Sequence, residues 1–339
     1  MTKFQVFSLT ASLLLGLTTL PAMAQEEVSV AVSSTSIFFA STYVAEEMGY
    51  FDEAGLDVEI VDVGSGSNVI ASVAGGSAQI GMAGIRNVAQ GVEKGLDFKA
   101  FGSQLKGFPN FLVMQTGFMT EAGITPESPL EERIATLKGK TIAVNDIGGS
   151  AGEFVRELLA RGGLAETDTV LINISSTPGR LAALKGKAVD GLVGYAPEPE
   201  TAMLEGYGEI LIDSSSDIPE VQGIEYITHF TTTKFLTENR ATAEAYLGAA
   251  AKGSKLIQED SEAARDAFFR QMSKKAGGAE IDPELAALQW TNMYAFFSPI
   301  MSFTEEGLAG AQGFFDISES VTNERLVDNS IAQALDAAQ

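Results

Sequence analysis

The sequence predicts an α/β protein built from two lobes. Short runs typical of β-strands alternate with helical stretches, which favours layered α/β structure with parallel strands. The alternation occurs in two halves, and in each half glycine-rich turns lead from a strand into a helix. After residue 228 the pattern changes to long amphipathic helices, predicted at 237–258, 262–275, 283–297 and 327–338.

In the first half, apolar patterning marks the strands. Residues 28–32 read Val-Ser-Val-Ala-Val, and residues 56–63 alternate apolar and acidic side chains, as a half-buried strand does. Further strands are predicted at 78–83, 98–104 and 111–115, which would complete a first sheet before the chain leaves it. Helices are predicted at 39–51, at 69–75 after a Gly-Ser-rich turn, and at 86–93.

A break in composition at 117–129, where glycines and two prolines occur, separates the halves. Strands of the second half are predicted at 141–145, 170–174, 191–194 and 209–212. A helix follows the turn at 148–152, and two more begin at Pro178 and Pro197, since proline fits the first turn of a helix.

The predicted lobes are discontinuous in sequence. We expect lobe 1 to comprise residues 25–115 and 229–339, and lobe 2 to comprise residues 116–228. Two crossings, near 113–116 and 227–231, would join them, and the C-terminal helices would return to lobe 1.

Residues 1–24 have the features of an export signal. Lys3 precedes an apolar run at 6–20, and Ala22-Met23-Ala24 supplies the small-x-small pattern that predicts cleavage before Gln25. The alternative is a membrane anchor, but the run is short for about 30 Å of hydrocarbon and no basic cluster follows it.

Composition excludes several classes of site. The chain has no cysteine, which excludes disulfides, thiolate metal sites, a cysteine nucleophile and the lipid-modified cysteine that tethers many exported proteins. One histidine, His229, argues against a histidine-rich metal site or a Ser-His-Asp triad. A formal charge of −23 opposes binding to nucleic acid or anionic lipid. We therefore predict no metal, no cofactor and no nucleic-acid partner.

Several segments resemble one family, in the family's own order. Residues 43–51 (YVAEEMGYF) are similar to its A-x-E-x-G-Y-F segment and residues 53–59 (EAGLDVE) to E-x-G-L-D-V-E. Residues 137–144 (LKGKTIAV) match L-K-G-K-x-I-A-V, and residues 183–191 match A-L-x-x-G-x-V-D-A with glycine for the final alanine. Residues 75–81 are similar to the family's G-x-x-D-I-G segment, with Gln79 where the family usually has aspartate. The family is the nitrate/sulfonate/taurine-type substrate-binding proteins of ABC importers, a group that includes binders of thiamine-pyrimidine precursors.

This resemblance implies a type II-like periplasmic binding protein, with a ligand cleft between two α/β lobes and two hinge crossings. It implies a periplasmic monomer, without catalytic residues, that captures a small molecule by lobe closure and delivers it to an ABC permease in the inner membrane. The expected ligand is an anionic or aromatic organic molecule: a sulfonate, a carboxylate or a heterocycle. Two alternatives are a pyrimidine-precursor synthase-like enzyme of the same fold, which would need an active-site histidine and iron, and the ligand-binding subunit of a periplasmic sensor.

The carboxyl ends of the predicted strands indicate where a ligand would lie, because ligands of open α/β sheets bind there. These ends fall at 33–39, 64–68, 84–86, 146–152, 175–177 and 195–198, and several are rich in glycine and serine. Glycine lets backbone approach a ligand, and serine and asparagine donate hydrogen bonds. The candidate ligand-binding residues are Ser36, Phe38, Phe39, Gly66, Ser67, Asn68, Arg86, Ser150, Gly152, Tyr195 and Glu198.

Each candidate also has a structural interpretation. The glycine-serine loops can be turns with helix caps, and the two phenylalanines can be core. Glu198 either binds a cation or amine or favours its own helix N-terminus. Arg86 opposes the dipole of the helix it begins, so it either anchors an anionic group of the ligand or forms a structural ion pair.

Overall fold

Two mixed sheets of five strands each organise the computed structural model, which describes residues 25–338. The strands are β1 (Glu26–Val32), β2 (Leu56–Asp62), β3 (Ile80–Gly84), β4 (Phe98–Lys106), β5 (Phe111–Gln115), β6 (Thr141–Val144), β7 (Val170–Asn173), β8 (Gly191–Gly194), β9 (Gly208–Asp213) and β10 (Glu225–Thr232).

Helices surround both sheets. They are α1 (Ala40–Glu47), α2 (Tyr50–Glu53), α3 (Gly66–Gly75), α4 (Ile85–Glu93), α5 (Phe118–Ala122), α6 (Leu130–Ala135), α7 (Ser150–Arg161), α8 (Thr177–Lys185), α9 (Glu198–Leu204), α10 (Ser214–Asp217), α11 (Thr233–Glu238), α12 (Arg240–Glu259), α13 (Ser261–Lys275), α14 (Pro283–Met293), α15 (Glu305–Phe314), α16 (Asn323–Leu326) and α17 (Ser330–Ala337). Short 3-10 turns lie at Ile37–Phe39, Glu166–Asp168, Pro219–Val221 and Tyr294–Phe296. Within residues 25–338, no helix is both long and apolar enough to span a membrane.

The two sheets share one plan. The first has the order β2-β1-β3-β10-β4, in which β1 is parallel to β2 and β3, and β10 is antiparallel to its two neighbours. The second has the order β7-β6-β8-β5-β9, with β6 parallel to β7 and β8, and β5 antiparallel to its neighbours. The predicted α/β class with two related halves is confirmed.

The strand order corrects the predicted crossings. Residues 111–115 form β5 in the second sheet, so the prediction that they complete the first sheet is wrong. The chain passes to the second sheet between Lys106 and Phe111, and it returns between Asp213 and Glu225, so β10 lies wholly in the first sheet. The predicted boundaries at 115 and 228 are therefore displaced by a few residues. The pattern of an apolar strand shows that it pairs, but not with which strand.

The C-terminal helices mainly cover the first sheet. Helix α12 packs on α1 so closely that a Cβ at Gly253 would lie 2.0 Å from the backbone oxygen of Ser41. Helices α15 and α17 lie on β10 and β4. Helix α14 also reaches the second sheet's α9, where Asn292 donates to Glu200 at 2.9 Å.

Several predicted helices are interrupted. Residues 39–51 divide at Gly49, whose φ of 74° ends α1 and begins α2. Residues 237–258 divide at Asn239 into α11 and α12. The last predicted helix, 327–338, is shorter and begins at Ser330. The predicted export signal lies outside the described residues.

Candidate functional site

A small cavity of about 30 Å³ lies between the two sheets. It is lined from the first sheet's side by Ser33, Phe38, Gly66, Gly84, Asn87, Tyr226 and Ile227, from a crossing by Asn110, and from the second sheet's side by Asn145, Asp146, Ser150, Ala151 and Tyr195. Strands β1, β3, β6 and β8 all end at this cavity. The cavity therefore lies at the carboxyl ends of parallel strands, where α/β sheets bind ligands.

Two aromatic rings meet across the cavity. The rings of Phe38 and Tyr195 are stacked, with centroids 4.2 Å apart and planes at 27°. The rings of Tyr226 and Phe38 form a T-shaped contact, with centroids 5.6 Å apart. The hydroxyl oxygens of Tyr195 and Ser34 lie 2.9 Å apart, which adds a polar contact to the stack. Burial raises the pKa of Tyr195, so its hydroxyl stays protonated and can donate.

Asp146 connects the two sides through its carboxylate. Its Oδ2 accepts hydrogen bonds from the backbone N–H of Ser67 at 3.0 Å, from the Ser67 hydroxyl at 2.7 Å and from the Asn87 amide at 3.3 Å. Its Oδ1 accepts from the backbone N–H of Gly148 at 3.0 Å. The start of α3 favours a negative charge, because its first N–H groups have no partner within the helix. Asp146 thus supplies that charge from the opposite sheet.

Close approach explains two of the glycines in the lining. A Cβ at Gly84 would lie 2.5 Å from the hydroxyl oxygen of Ser150, and a Cβ at Gly66 would lie 2.6 Å from the side chain of Asn87. The Ser150 hydroxyl is buried and has no hydrogen-bond partner among residues 25–338. It is therefore free to bond to a group that enters the cavity.

Of the residues proposed from the sequence, Phe38, Gly66, Ser150 and Tyr195 line the cavity. Ser67 lies beside it, bonded to Asp146. A ligand role for these residues remains a prediction, and the geometry brings them together in one place.

Three further candidates have structural partners near the cavity. Ser36 is buried, and its hydroxyl accepts a hydrogen bond from Ser34 at 3.1 Å. Phe39 is fully buried in the core. Asn68 donates its amide to the Val63 carbonyl at 2.7 Å, so it holds the turn before α3.

Gly152 and Glu198 are placed by the packing of the second sheet. A Cβ at Gly152 would lie 2.0 Å from the backbone oxygen of Ile147, so the α7 turn leaves no room for a side chain. Glu198 is fully buried and pairs with Arg180 at 2.6 Å. That partner occupies the carboxylate that a ligand amine would need.

Arg86 does not line the cavity. Its guanidinium pairs with Glu93 at 3.4 Å, although its Nε is buried without a partner in the described part of the chain. Burial raises the pKa of Glu153 on α7, and Arg156 and Arg86 act in the opposite direction. This arrangement favours the ion-pair interpretation of Arg86, while its role as an anchor for the ligand stays a prediction.

Sequence reasoning missed Asn87, Asn110, Asn145, Asp146 and Tyr226 as lining residues. Asp146 lay in a strand-end loop that the sequence had already marked. Asn110 and Tyr226 could be identified only from the crossings that the structure shows. Asn110 lies in the first crossing, Tyr226 lies just after the second, and the Asn110 amide donates to the Tyr226 hydroxyl at 3.3 Å.

Within residues 25–338, no group of three or more histidine, cysteine, aspartate or glutamate side chains is arranged to hold a metal ion. The cavity is instead suited to hydrogen bonding and ring stacking.

The fold of this chain is shared with solved structures. A protein from Bordetella bronchiseptica RB50 has 22% identity and a TM-score of 0.79, and the alignment covers 93% of this chain and 98% of that chain. The alkanesulfonate-binding protein SsuA from Xanthomonas axonopodis pv. citri, bound to MOPS, has 16% identity and a TM-score of 0.68, covering 93% and 99%. The periplasmic nitrate-binding protein NrtA from Synechocystis PCC 6803 has 14% identity and a TM-score of 0.68, covering 93% and 89%.

The same fold also occurs in an enzyme. The desulfurization enzyme DSZB has 13% identity and a TM-score of 0.63, covering 93% of this chain and 99% of that chain. At such identities the likeness shows the fold alone. No curated protein matches the chain in sequence.

A family model described as NMT1/THI5 like matches residues 37–264. The match runs through both sheets, and it includes the segments at 43–51, 53–59, 137–144 and 183–191 that carry the resemblance. The predicted family relationship is thereby confirmed. Because the match spans more than half of the 339 residues, the chain belongs to the NMT1/THI5-like family.

Proposed function

We propose that this protein is the substrate-binding protein of an ABC importer, and that it captures a small organic molecule by closing two lobes around it. One observation carries the proposal: the cavity at the strand ends is bounded by side chains from both sheets, which contact each other across it. Phe38 stacks on Tyr195, and the Asn87 amide donates to Asp146. Proteins of the same fold that bind an alkanesulfonate or nitrate support it.

We infer that the protein binds its ligand without transforming it. The lining offers amides, hydroxyls and one carboxylate. His229, the only histidine of the chain, is fully buried in β10 and lies outside the lining. An enzyme that draws on an active-site histidine would need that ring at the cavity.

The proposed location is the periplasm, as a free monomer that meets its permease at the inner membrane. The sequence features of residues 1–24 and the lack of cysteine support export and cleavage before Gln25 without a lipid anchor. Intact-mass measurement on the periplasmic fraction is expected to give a chain that begins at Gln25. A full-length chain in the membrane fraction would contradict this.

Ligand-driven closure tests the function itself. A thermal-shift screen of small metabolites should find a ligand, because saturation at 100 times Kd adds roughly 2.7 kcal/mol of stability. Small-angle scattering with that ligand should then show a smaller radius of gyration than without it, as hinge closure requires.

Two variants sharpen the closure test. Tyr195→Ala removes a ring that meets the opposite lobe, so we expect weaker binding. Tyr294→Ala removes a tyrosine that is 41% exposed and outside the lining, so it serves as the matched control. A ligand that binds without any change in radius would contradict closure.

A further inference from the structure

We propose that the cleft selects a flat ligand that is neutral or singly positive and presents N–H donors, with Phe38 and Tyr195 covering its two faces. The inference rests on the proposed function and narrows it to a class of ligand. It also favours one of the classes expected from the sequence, the heterocycle, over the sulfonate and the carboxylate.

The faces of the ligand are assigned by the stacked pair. Phe38 follows β1 of the first sheet and Tyr195 follows β8 of the second, so opening of the lobes separates the two rings. Their centroids are now 4.2 Å apart, which is a direct stack. A flat group inserted between them would move the centroids to roughly 7 Å and would stack on both rings. In the closed form without a ligand, each ring therefore stacks on the other, and with a planar ligand between them each ring would stack on one face of that ligand.

The charged side chains around the cavity indicate which groups the edge of the ligand carries. Within residues 25–338, no lysine, arginine or histidine lines the cavity, whereas Asp146 contributes a carboxylate. Two arginines outside the lining form ion pairs: Arg86 pairs with Glu93, although its Nε has no partner among residues 25–338, and Arg180 pairs with Glu198. An oxyanion in this cavity would meet a like charge and no cation, which is unfavourable in a desolvated site.

Helix N-termini do not reverse this balance. Backbone N–H groups near the starts of α3 and α7 would favour an anion. Asp146 already accepts a hydrogen bond from the N–H of Ser67 in the first turn of α3, and another from the N–H of Gly148 in the loop before α7. The chain's own carboxylate thus takes the position of an anionic ligand, and its negative charge favours N–H donors on a ligand beside it.

Polar groups around Asp146 fit the same class. The amides of Asn87, Asn110 and Asn145 can each donate and accept, as the edge of a nitrogen-containing ring requires. The Ser150 hydroxyl, buried without a partner in the described chain, can bond to either kind of group.

Three probes of the same shape test this inference. Benzamidinium, benzamide and benzoate share one ring and one planar three-atom end, and they differ in charge and in hydrogen-bond donors. Calorimetric titration of the mature protein should show binding of benzamidinium and benzamide, with benzoate at least about tenfold weaker than benzamidinium, which corresponds to about 1.4 kcal/mol. Nitrate and methanesulfonate should bind no better than benzoate.

Two variants assign the roles. Asp146→Asn should weaken benzamidinium about tenfold and benzamide much less, and Phe38→Leu should weaken both. Asp57→Asn, at an exposed position of β2, and Phe269→Leu, at a half-buried position outside the lining, are the matched controls.

The outcomes separate this inference from the proposed function. Tighter binding of benzoate, nitrate or methanesulfonate than of benzamidinium would overturn the ligand class and leave a binding protein. If none of the three ring probes binds at concentrations up to about 10 mM, the ligand class is also overturned, whatever the variants do. In that case, a metabolite that closes the lobes would still support the proposed function. Equal effects of Asp146→Asn and Asp57→Asn would overturn the role of Asp146. If no metabolite and no probe binds, both the class and the function fail.

Discussion

The guanidinium of Arg180 and the carboxylate of Glu198 lie 2.6 Å apart, with both side chains buried beneath the candidate site. Arg180 also donates to the carbonyls of Ile174 and Ser175, each at 2.8 Å. Burial raises the pKa of Glu198, and Arg180 acts against that rise. Because Glu198 accepts from the backbone N–H of Tyr195 at 3.4 Å, the pair also supports the loop that presents the Tyr195 ring.

Breaking this pair should be costly. Arg180→Met leaves a buried carboxylate without its cation, so we expect a loss of about 3–5 kcal/mol in the free energy of unfolding. The double variant with Glu198→Gln should lose less than the sum of the single variants, because no unpaired charge remains. Urea unfolding measures all three. Lys185→Met, which breaks the exposed pair with Glu205 that also has a 2.6 Å separation, is the control and should cost less than about 1 kcal/mol. Strict additivity of the two buried changes would contradict the coupling.

Gly152→Ala tests the close turn at the start of α7. The new Cβ would lie 2.0 Å from the backbone oxygen of Ile147, and no side-chain rotation relieves a backbone clash. We expect a loss of at least about 1–3 kcal/mol in thermal or urea unfolding. Gly313→Ala is the matched control: a Cβ added at this helical glycine would point into open space, so the change should stabilise by about 0.5–1 kcal/mol. Equal stabilities of the two variants would show that the turn relaxes freely.

His229 should stay neutral in the folded protein well into the acidic range. Burial lowers its pKa from 6.5 to about 3, and its Nδ1 lies 3.1 Å from the Tyr246 hydroxyl. The folded state therefore binds fewer protons than the unfolded state between about pH 6.5 and 3. The stability that depends on a neutral ring is present above pH 6.5 and is lost as the pH falls through this window.

The ring's NMR signal gives the direct measurement. With one histidine in the chain, its Cε1 proton should give a single assigned resonance that does not shift between pH 8 and 5. His229→Gln should flatten the fall in unfolding free energy on acidification. A midpoint near pH 6.5 in the native protein would refute the buried neutral ring.

The sequence predicted which loops form the candidate site better than it predicted which side chains line the cavity and which partners they have. Strand ends follow from apolar patterning, so the loops that hold Phe38, Gly66, Ser150 and Tyr195 could be found without coordinates. The partner of Glu198 could not, because Arg180 lies eighteen residues away and only the packing of α8 on α9 brings the two together.

Local sequence patterns also do not show which of two neighbouring residues lines the cavity and which packs only in the core. Phe38 lines the cavity while Phe39 is buried in the core, since successive residues of a 3-10 turn point in different directions. Asn110 and Tyr226 could be placed at the cavity only by knowing where the chain changes sheets. The sequence did not show this, because the apolar pattern of β5 does not indicate which sheet the strand joins.

Arg86→Ala distinguishes an ion pair from a ligand anchor. Its guanidinium lies 3.4 Å from Glu93 on the same helix, with 13% and 24% of the side chains exposed, and it does not line the cavity. We therefore expect the variant to lower the free energy of unfolding by about 1 kcal/mol without ligand, because Glu93 loses a partly buried partner. Affinity for the ligand should fall by less than tenfold, or about 1.4 kcal/mol.

Arg240→Ala, which removes the exposed pair with Glu244 at 2.8 Å, is the control and should change neither quantity appreciably. Calorimetric titration and melting of the ligand-free variants measure the two effects separately. An affinity loss above tenfold with unchanged stability would restore Arg86 as an anchor for an anionic group, and it would also count against the ligand class inferred from Asp146.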